Sequence, residues 1–441
     1  MHLASNLANL LTSLWCGTME CGLDDDKDQW MWAVLADDDA WQEHGEDVQR
    51  SSLYLPGSYD RKPRNIAEKI NTQYKTWEFQ LYLFGLAPIL LYDVLPEKYW
   101  TNHCKLVRGF QIMCQTSITH EELVDTHALL CSWEYEFEHI YYGLRKSRLH
   151  FIRPCVHQVV HLVTEALYKG PPASYAQWTM ERIIGNLGQQ IRQPSKPFVN
   201  ISREGVRRCQ VNSLLSAMPE LDDSVQTLPQ GSVELGDGYV LLQKRAKYPI
   251  IPKGHEADAI SQFLGPTHKL PHIKKWACLC LPNGQIARSA WRECLRPPEC
   301  VRVSRNVKFT DNGEIRCGEV CYFTRLAVSN PAARDNERHF KFIDVAVIQM
   351  YSRLDARLLE LSSQVLAAST KLEEIKVIPV KNITGVIAMI PRHIRMDFDN
   401  EQLCHCMMER PGYNISKLGM SYREDENGVG DDDDGNDVDV D

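Results

Sequence analysis

The stretch Tyr175–Arg192 reads YAQWTMERIIGNLGQQIR. Ile183, Ile184, Leu187 and Ile191 recur at the 3.6-residue spacing of a helix. Just before it, Cys155–Tyr168 is another apolar-periodic segment, with Pro154 suited to its first turn. Just after it come Lys196, Arg203, Arg207 and Arg208. This reading places Glu181 on the apolar side of a helical fold. Arg192, Lys196, Arg203, Arg207 and Arg208 then form basic surroundings suited to a phosphate backbone.

Working back from that stretch, the helical rhythm holds to the first residues. Leu3, Leu7, Leu10, Leu11, Leu14 and Trp15 keep helical spacing within Met1–Met19. Asp24–Asp28 reads as an acidic loop, and Leu55-Pro56-Gly57-Ser58 as a turn. Asn65 can cap a helix running through Tyr74 and Trp77, where Lys69 and Lys75 interleave with the aromatics. Such interleaving can track a nucleic-acid strand, but core aromatics with solvated lysines are commoner. Thr119-His120-Glu121-Glu122 has the capping-box form. The helix it opens ends in Arg145, Lys146 and Arg148, cations that a helix dipole favours. His157 and His161, one turn apart, could share a metal ion, but a zinc site needs a third ligand.

Working forward, the polar, Gly- and Pro-containing run Asp222–Gly236 marks a boundary. Beyond it the pattern becomes strand-like over Tyr239–Gln243, Trp276–Leu281, Gln285–Trp291, Cys300–Phe309, Glu314–Val328, Phe340–Tyr351, Lys376–Val380 and Val386–Ile390. Pro282-Asn283-Gly284 and Asp311-Asn312-Gly313 are hairpin turns. One helix, Asp355–Ala368, interrupts the strands. The expected fold is therefore α+β. A mainly helical domain over 1–222 leads through a linker, 223–236, to a small β-barrel-like domain over 237–395. An acidic, disordered tail follows over 396–441.

The 441 residues suffice for two or three domains. Glu424–Asp441 holds ten acidic residues, and removing them from the net charge of −9 leaves the rest at +1. Any basic face is therefore local. The fifteen cysteines form no paired C-x-x-C knuckles and suit free thiols in a reducing compartment. No signal-peptide pattern is visible, so the expected location is nuclear or cytoplasmic, not secreted. The most apolar run, Leu81–Leu95, is broken by Gly85, Pro88 and Asp93. It falls short of the roughly 20 residues of a membrane span and reads as a buried helix and turn.

Three motifs carry a resemblance. They are MHLASNLANLLTSLW at Met1–Trp15, YLPGSYDRKPRNIAEKIN at Tyr54–Asn71, and WTMERIIGNLG at Trp178–Gly188. In that order they resemble the C-terminal half of the CACTA (En/Spm-type) transposases of fungal genomes. GEVCYFTRLAV at Gly318–Val328 and VIAMIP at Val386–Pro391 resemble their downstream region. The resemblance covers nearly the whole chain apart from the acidic tail. It implies part of a ribonuclease-H-like core with its insertion helices, and a reaction in which three carboxylates hold two Mg²⁺ or Mn²⁺ ions for in-line displacement at phosphorus. By the resemblance, Glu181 is the candidate third carboxylate and metal ligand. The two earlier aspartates of the family fall before Met1, which implies an N-terminally truncated chain that binds no metal by itself.

Three functions follow as expectations. The first is a transposase remnant or fragment, catalytically incomplete, that retains DNA-backbone binding and has DNA and the missing N-terminal half or a full-length transposase as partners. The second is a non-enzymatic scaffold that binds DNA, chromatin or protein through the β-rich domain. The third, an active metal-dependent strand-transferase, needs two more converging carboxylates.

Overall fold

The computed structural model describes residues 2–416 except 60, 71, 73, 190–194, 222–227, 243–244, 267, 330–339, 398–399 and 413–414. The chain is α+β, with a helical first half and antiparallel sheets in the second. The acidic run 424–441 lies outside the described residues.

The apolar periodicity of the first residues becomes helix α1 (His2–Trp15), which buries Leu7, Leu10, Leu11, Leu14 and Trp15. Trp15 donates its indole N–H to the Tyr141 hydroxyl, 3.2 Å away. Helix α2 (Asp38–Ser51) is capped by Asp37, whose side chain accepts from the Ala40 N–H. The apolar run at 81–95 is buried, as expected. Its helix widens over Tyr82–Leu86 just before Pro88. Proline lacks the N–H and crowds the carbonyl four residues back, so the regular ladder cannot pass through it. Helices α3 (Glu97–Met113) and α4 (His120–Phe137) pack together. Gly109 permits their close approach, since a Cβ there would lie 2.6 Å from the Leu130 side chain. The capping box at Thr119 and Glu122 forms as read. Helix α5 (Leu162–Lys169) completes this body.

Two ion pairs pass inside it. The Glu78 side chain has no exposed surface. It accepts from Arg64 Nε at 2.8 Å, from Arg64 Nη2 at 2.5 Å and from the Lys75 N–H at 2.9 Å. Arg148, read as a solvated helix-end cation, turns inward instead. Its guanidinium pairs with the buried Asp25 carboxylate at 2.5 and 2.6 Å and lies over the Trp32 ring at 4.9 Å. Asp25 therefore belongs to the core's charge balance rather than to a solvated acidic loop.

The second half forms three antiparallel sheets. One contains β1 (Val233–Gly236), β2 (Tyr239–Leu241), β3 (Cys278–Cys280) and β4 (Ile286–Arg288) in sequence order, with helix α8 (His255–Leu264) inserted between β2 and β3. The second has the order β10-β5-β6-β7-β9. It comprises β5 (Asn306–Asp311), β6 (Glu314–Ser329), β7 (Phe340–Tyr351), β9 (Lys371–Pro379) and β10 (Ile383–Val386). The Asn312–Gly313 turn joins β5 to β6 with φ of 50° and 80°, a conformation that Asn and Gly tolerate. The third sheet, β11-β12-β8, contains β8 (Ala367–Ser369), β11 (Ala388–Asp397) and β12 (Asn400–Met408).

Three expectations need correction. No sheet among the described residues has its first and last strands paired, so the strands do not close into the expected barrel. The helix read over Asp355–Ala368 stops early: α9 spans Ala356–Leu361, and β8 follows. Residues 400–408, assigned to the disordered tail, form strand β12, which buries Cys404, Cys406 and Met408.

The third sheet does not stand apart from the helices. Ala388, Ile390, Ile394, Cys404, Cys406 and Met408 belong to the same apolar core as Leu10, Trp15, Leu86, Trp100 and Trp133. Polar links reinforce the seam. Tyr59 donates its hydroxyl proton to the Met408 carbonyl at 2.6 Å. Arg392 reaches Asp47 at 3.1 Å and the Leu90 carbonyl at 3.2 Å. Arg302 donates to the Leu55 and Pro56 carbonyls at 3.0 and 2.7 Å. The Leu55-Pro56-Gly57-Ser58 turn is thus held by the β-rich half.

Candidate nucleic-acid interface

The opening stretch forms helix α6 (Trp178–Gln189), and the basic segment forms helix α7 (Pro197–Ala217). Pro197 sits in the first turn of α7, where its missing N–H costs nothing. Lys196 precedes it in the left-handed region at φ 55°. At 21 residues α7 is roughly 31 Å long. The two helices pack on each other, yet neither contributes a buried residue among its described side chains. Met180, Ile183 and Ile184 on α6 and Val206, Val211 and Leu214 on α7 are all exposed.

Glu181 stands in the first turn of α6 and is exposed, as is Arg182 beside it. This corrects the expectation that Glu181 lies on the apolar side of the fold. The apolar rhythm of α6 is real, but that stripe is itself exposed. A pair of dications needs several carboxylates converging from different elements. The described residues contain no group of three or more His, Cys, Asp or Glu side chains placed to hold a metal ion. Glu181 alone does not fit a two-metal centre.

The cations are distributed as follows. Lys196, Arg203 and Arg207 are exposed, with Arg203 and Arg207 one turn apart on the same side of α7. Arg208 is half-buried and pairs with Glu204 at 3.3 Å. Arg192 lies outside the described residues. The structure thus brings Arg203 and Arg207 together, and Arg208 is engaged within its own helix.

A second cationic surface escaped the sequence reading. Residues 245–250 run antiparallel to 273–276, which also bridge to Phe323 on β6. Arg245 lies over the Trp276 ring at 5.4 Å, and Lys247 over the exposed Tyr248 ring at 5.2 Å. Lys253, Lys269 and Lys274 are exposed nearby in the chain, while Lys275 is tied to Glu256 at 3.2 Å. The signal was present in the clustering of Lys and Arg from 244 to 275. The weak strand rhythm there gives that cluster no element to sit on.

Other candidates resolve into packing or local pairing. Tyr74 is buried and Trp77 is packed against the core, so the Lys69–Trp77 segment is no stacking platform. His157 Nε2 and His161 Nε2 face each other at 3.2 Å, and Glu134 meets His157 Nδ1 at 2.6 Å. All fifteen cysteines are free. Burial pushes the Cys317 and Cys406 thiols up to about 12, which keeps them protonated and poor nucleophiles. No helix among the described residues is long and apolar enough to cross a membrane. No known family model matches the chain, and neither a curated protein nor a solved structure matches it.

Proposed function

We propose that this chain is part of a CACTA-type DNA transposase that grips the DNA backbone and does not itself assemble the metal centre that cuts it. The observation that carries this reading is the exposed Arg203–Arg207 pair, with Lys196, beside helices whose described side chains include no buried one. Cations so placed can meet phosphates without first breaking an internal contact. The ribbon carrying Arg245, Lys247 and Lys274 offers further phosphate contacts, with Tyr248 available for stacking. The exposed position of Glu181 in the first turn of α6 suits a place on a binding surface. Such a protein acts on nuclear DNA, and Mg²⁺ or Mn²⁺ would enter only with carboxylates beyond those described.

Binding of labelled duplex DNA measured against salt concentration tests this. Affinity falls steeply with salt, and Arg203→Ala with Arg207→Ala reduces the log–log slope by about 2, equally for unrelated sequences. A second assay with Mg²⁺ or Mn²⁺ shows no strand cleavage that Glu181→Gln removes. Salt-insensitive binding that the double variant leaves unchanged would sink the proposal. Loss of all DNA binding, with the β-rich half capturing a protein partner, would favour the scaffold reading.

A further inference from the structure

Arg108 lies on α3 and is only 8 % exposed. Its guanidinium makes one hydrogen bond, to Gln364 Oε1 at 3.3 Å, and no ion pair among the described residues. A guanidinium has five N–H donors, and burying one without a carboxylate is unfavourable. Burial lowers the Arg108 pKa, and the distant carboxylates only partly offset that. Two of those carboxylates, Glu409 and Glu122, have other partners. Glu409 is bound by Lys308 and by Ser416. Glu122 closes the Thr119 capping box and accepts from Gln115.

The residue borders a cleft of about 470 Å³ between α3, α4 and the turn after α9. Ile112 and Leu129 give it an apolar floor, and Asp125 stands at the rim. Asp125 is exposed and has no hydrogen bond or ion pair among the described residues. The turn that presents Gln364 is strained. Ser363 and Gln364 both take left-handed backbone, at φ 52° and 66°, a conformation disfavoured outside glycine. Ser362 Oγ holds it by accepting from the Val365 and Leu366 N–H groups at 3.2 and 2.9 Å.

We propose that this cleft binds a small zwitterion of the basic amino-acid class, with its carboxylate on Arg108 and its side-chain ammonium toward Asp125. The spacing follows from the helices. The two helices run antiparallel, with Asn102 bonded to Trp133 and Lys105 to Ser132, so Leu130 against Gly109 puts Cys131 level with Arg108. Asp125, on the same cleft, is then six residues away, about 9 Å along α4, a separation that suits several methylenes between the ligand's two charges. Glu121, Glu122 and Asp125 make the rim acidic, so a polyphosphate or a DNA strand is repelled. The site is thus separate from the cationic surfaces above. The ligand is either a free amino acid or the last residue of a peptide.

Calorimetric titration of the full chain tests the proposal with four probes: L-lysine, 6-aminohexanoate, cadaverine, and a Gly-Gly-Lys peptide with a free or amidated terminus. Lysine and 6-aminohexanoate bind saturably. Cadaverine, which lacks the carboxylate, binds about tenfold or more weaker, as does lysine to Arg108→Gln or to Asp125→Asn. Tighter binding of the free-terminus peptide than of lysine identifies a peptide end as the ligand, and equal binding identifies the free amino acid. Arg108→Met folds normally, because an apolar stem replaces an unpaired buried charge. The exposed Asp125→Asn carries the test if the Arg108 variants fail to fold. Absence of saturable binding to the unmodified chain overturns the proposal, as does binding that survives Asp125→Asn and either Arg108 variant undiminished.

Discussion

Glu78 and Arg64 show how unequally two partners can depend on each other. Burial alone would push the Glu78 carboxyl up. The Arg64 guanidinium and the Lys75 and Arg64 N–H groups outweigh it, and the net shift is downward. Its folded pKa therefore lies below the unfolded value of about 4.3. The stability this gives is fully present above that value and is lost as pH falls through the folded pKa. Glu78→Gln is expected to cost about 1–3 kcal/mol at pH 7. The gap from the unmodified chain should narrow at pH 3, as read by urea unfolding at both pH values. Arg64→Ala should cost more, about 3–5 kcal/mol, because it strands a carboxylate with no route to water. The pairing was not legible in the sequence, since Arg64 and Glu78 lie 14 residues apart across a turn. The same holds for Arg108, whose burial depends on an element more than 250 residues later.

Among elements, the legible ones carry their signal locally. The helices α1, α3 and α4, the Thr119 cap and the Asn312–Gly313 turn depend on spacing and on residues within one turn, and all appear, although α4 stops at Phe137, short of the Arg145, Lys146 and Arg148 cluster read as its end. Strand β12 was missed because its stretch is short and adjoins a polar, acidic region. Its alternation decides the point: Cys404 and Cys406 face the core, whereas Leu403 is 48 % exposed. Cys406→Asp should cost about 3 kcal/mol or more, since it buries an unpaired charge. Leu403→Asp should change stability by no more than about 0.5 kcal/mol. Thermal melts of the two variants separate a strand from a tail, because a tail would tolerate both. For α6 and α7 the helical rhythm was legible, but which surface it faced was not. Periodicity reports an apolar stripe and says nothing about what covers it. That is why Glu181, read beside such a stripe, is found in solvent.

At the scale of the whole molecule, acid should weaken the fold through its buried histidines. His44 is held down to about 4, chiefly by burial, and His103 to about 3 for the same reason. Both lie below the unfolded value of about 6.5. Between those limits the unfolded chain takes up more protons, so stability falls as pH drops from about 6.5 toward 4. Urea midpoints from pH 7 to pH 4 should show this limb, and His103→Phe should make it shallower. The sequence reading drew a boundary near residue 222, and composition does change there. The core ignores that boundary, because β11 and β12 complete the packing of α1 and α3. Suppose a protease site is built at the exposed residues 228–231. The cut polypeptide should still elute as one particle and come apart only in denaturant, because hydrolysing that peptide bond removes none of the glue.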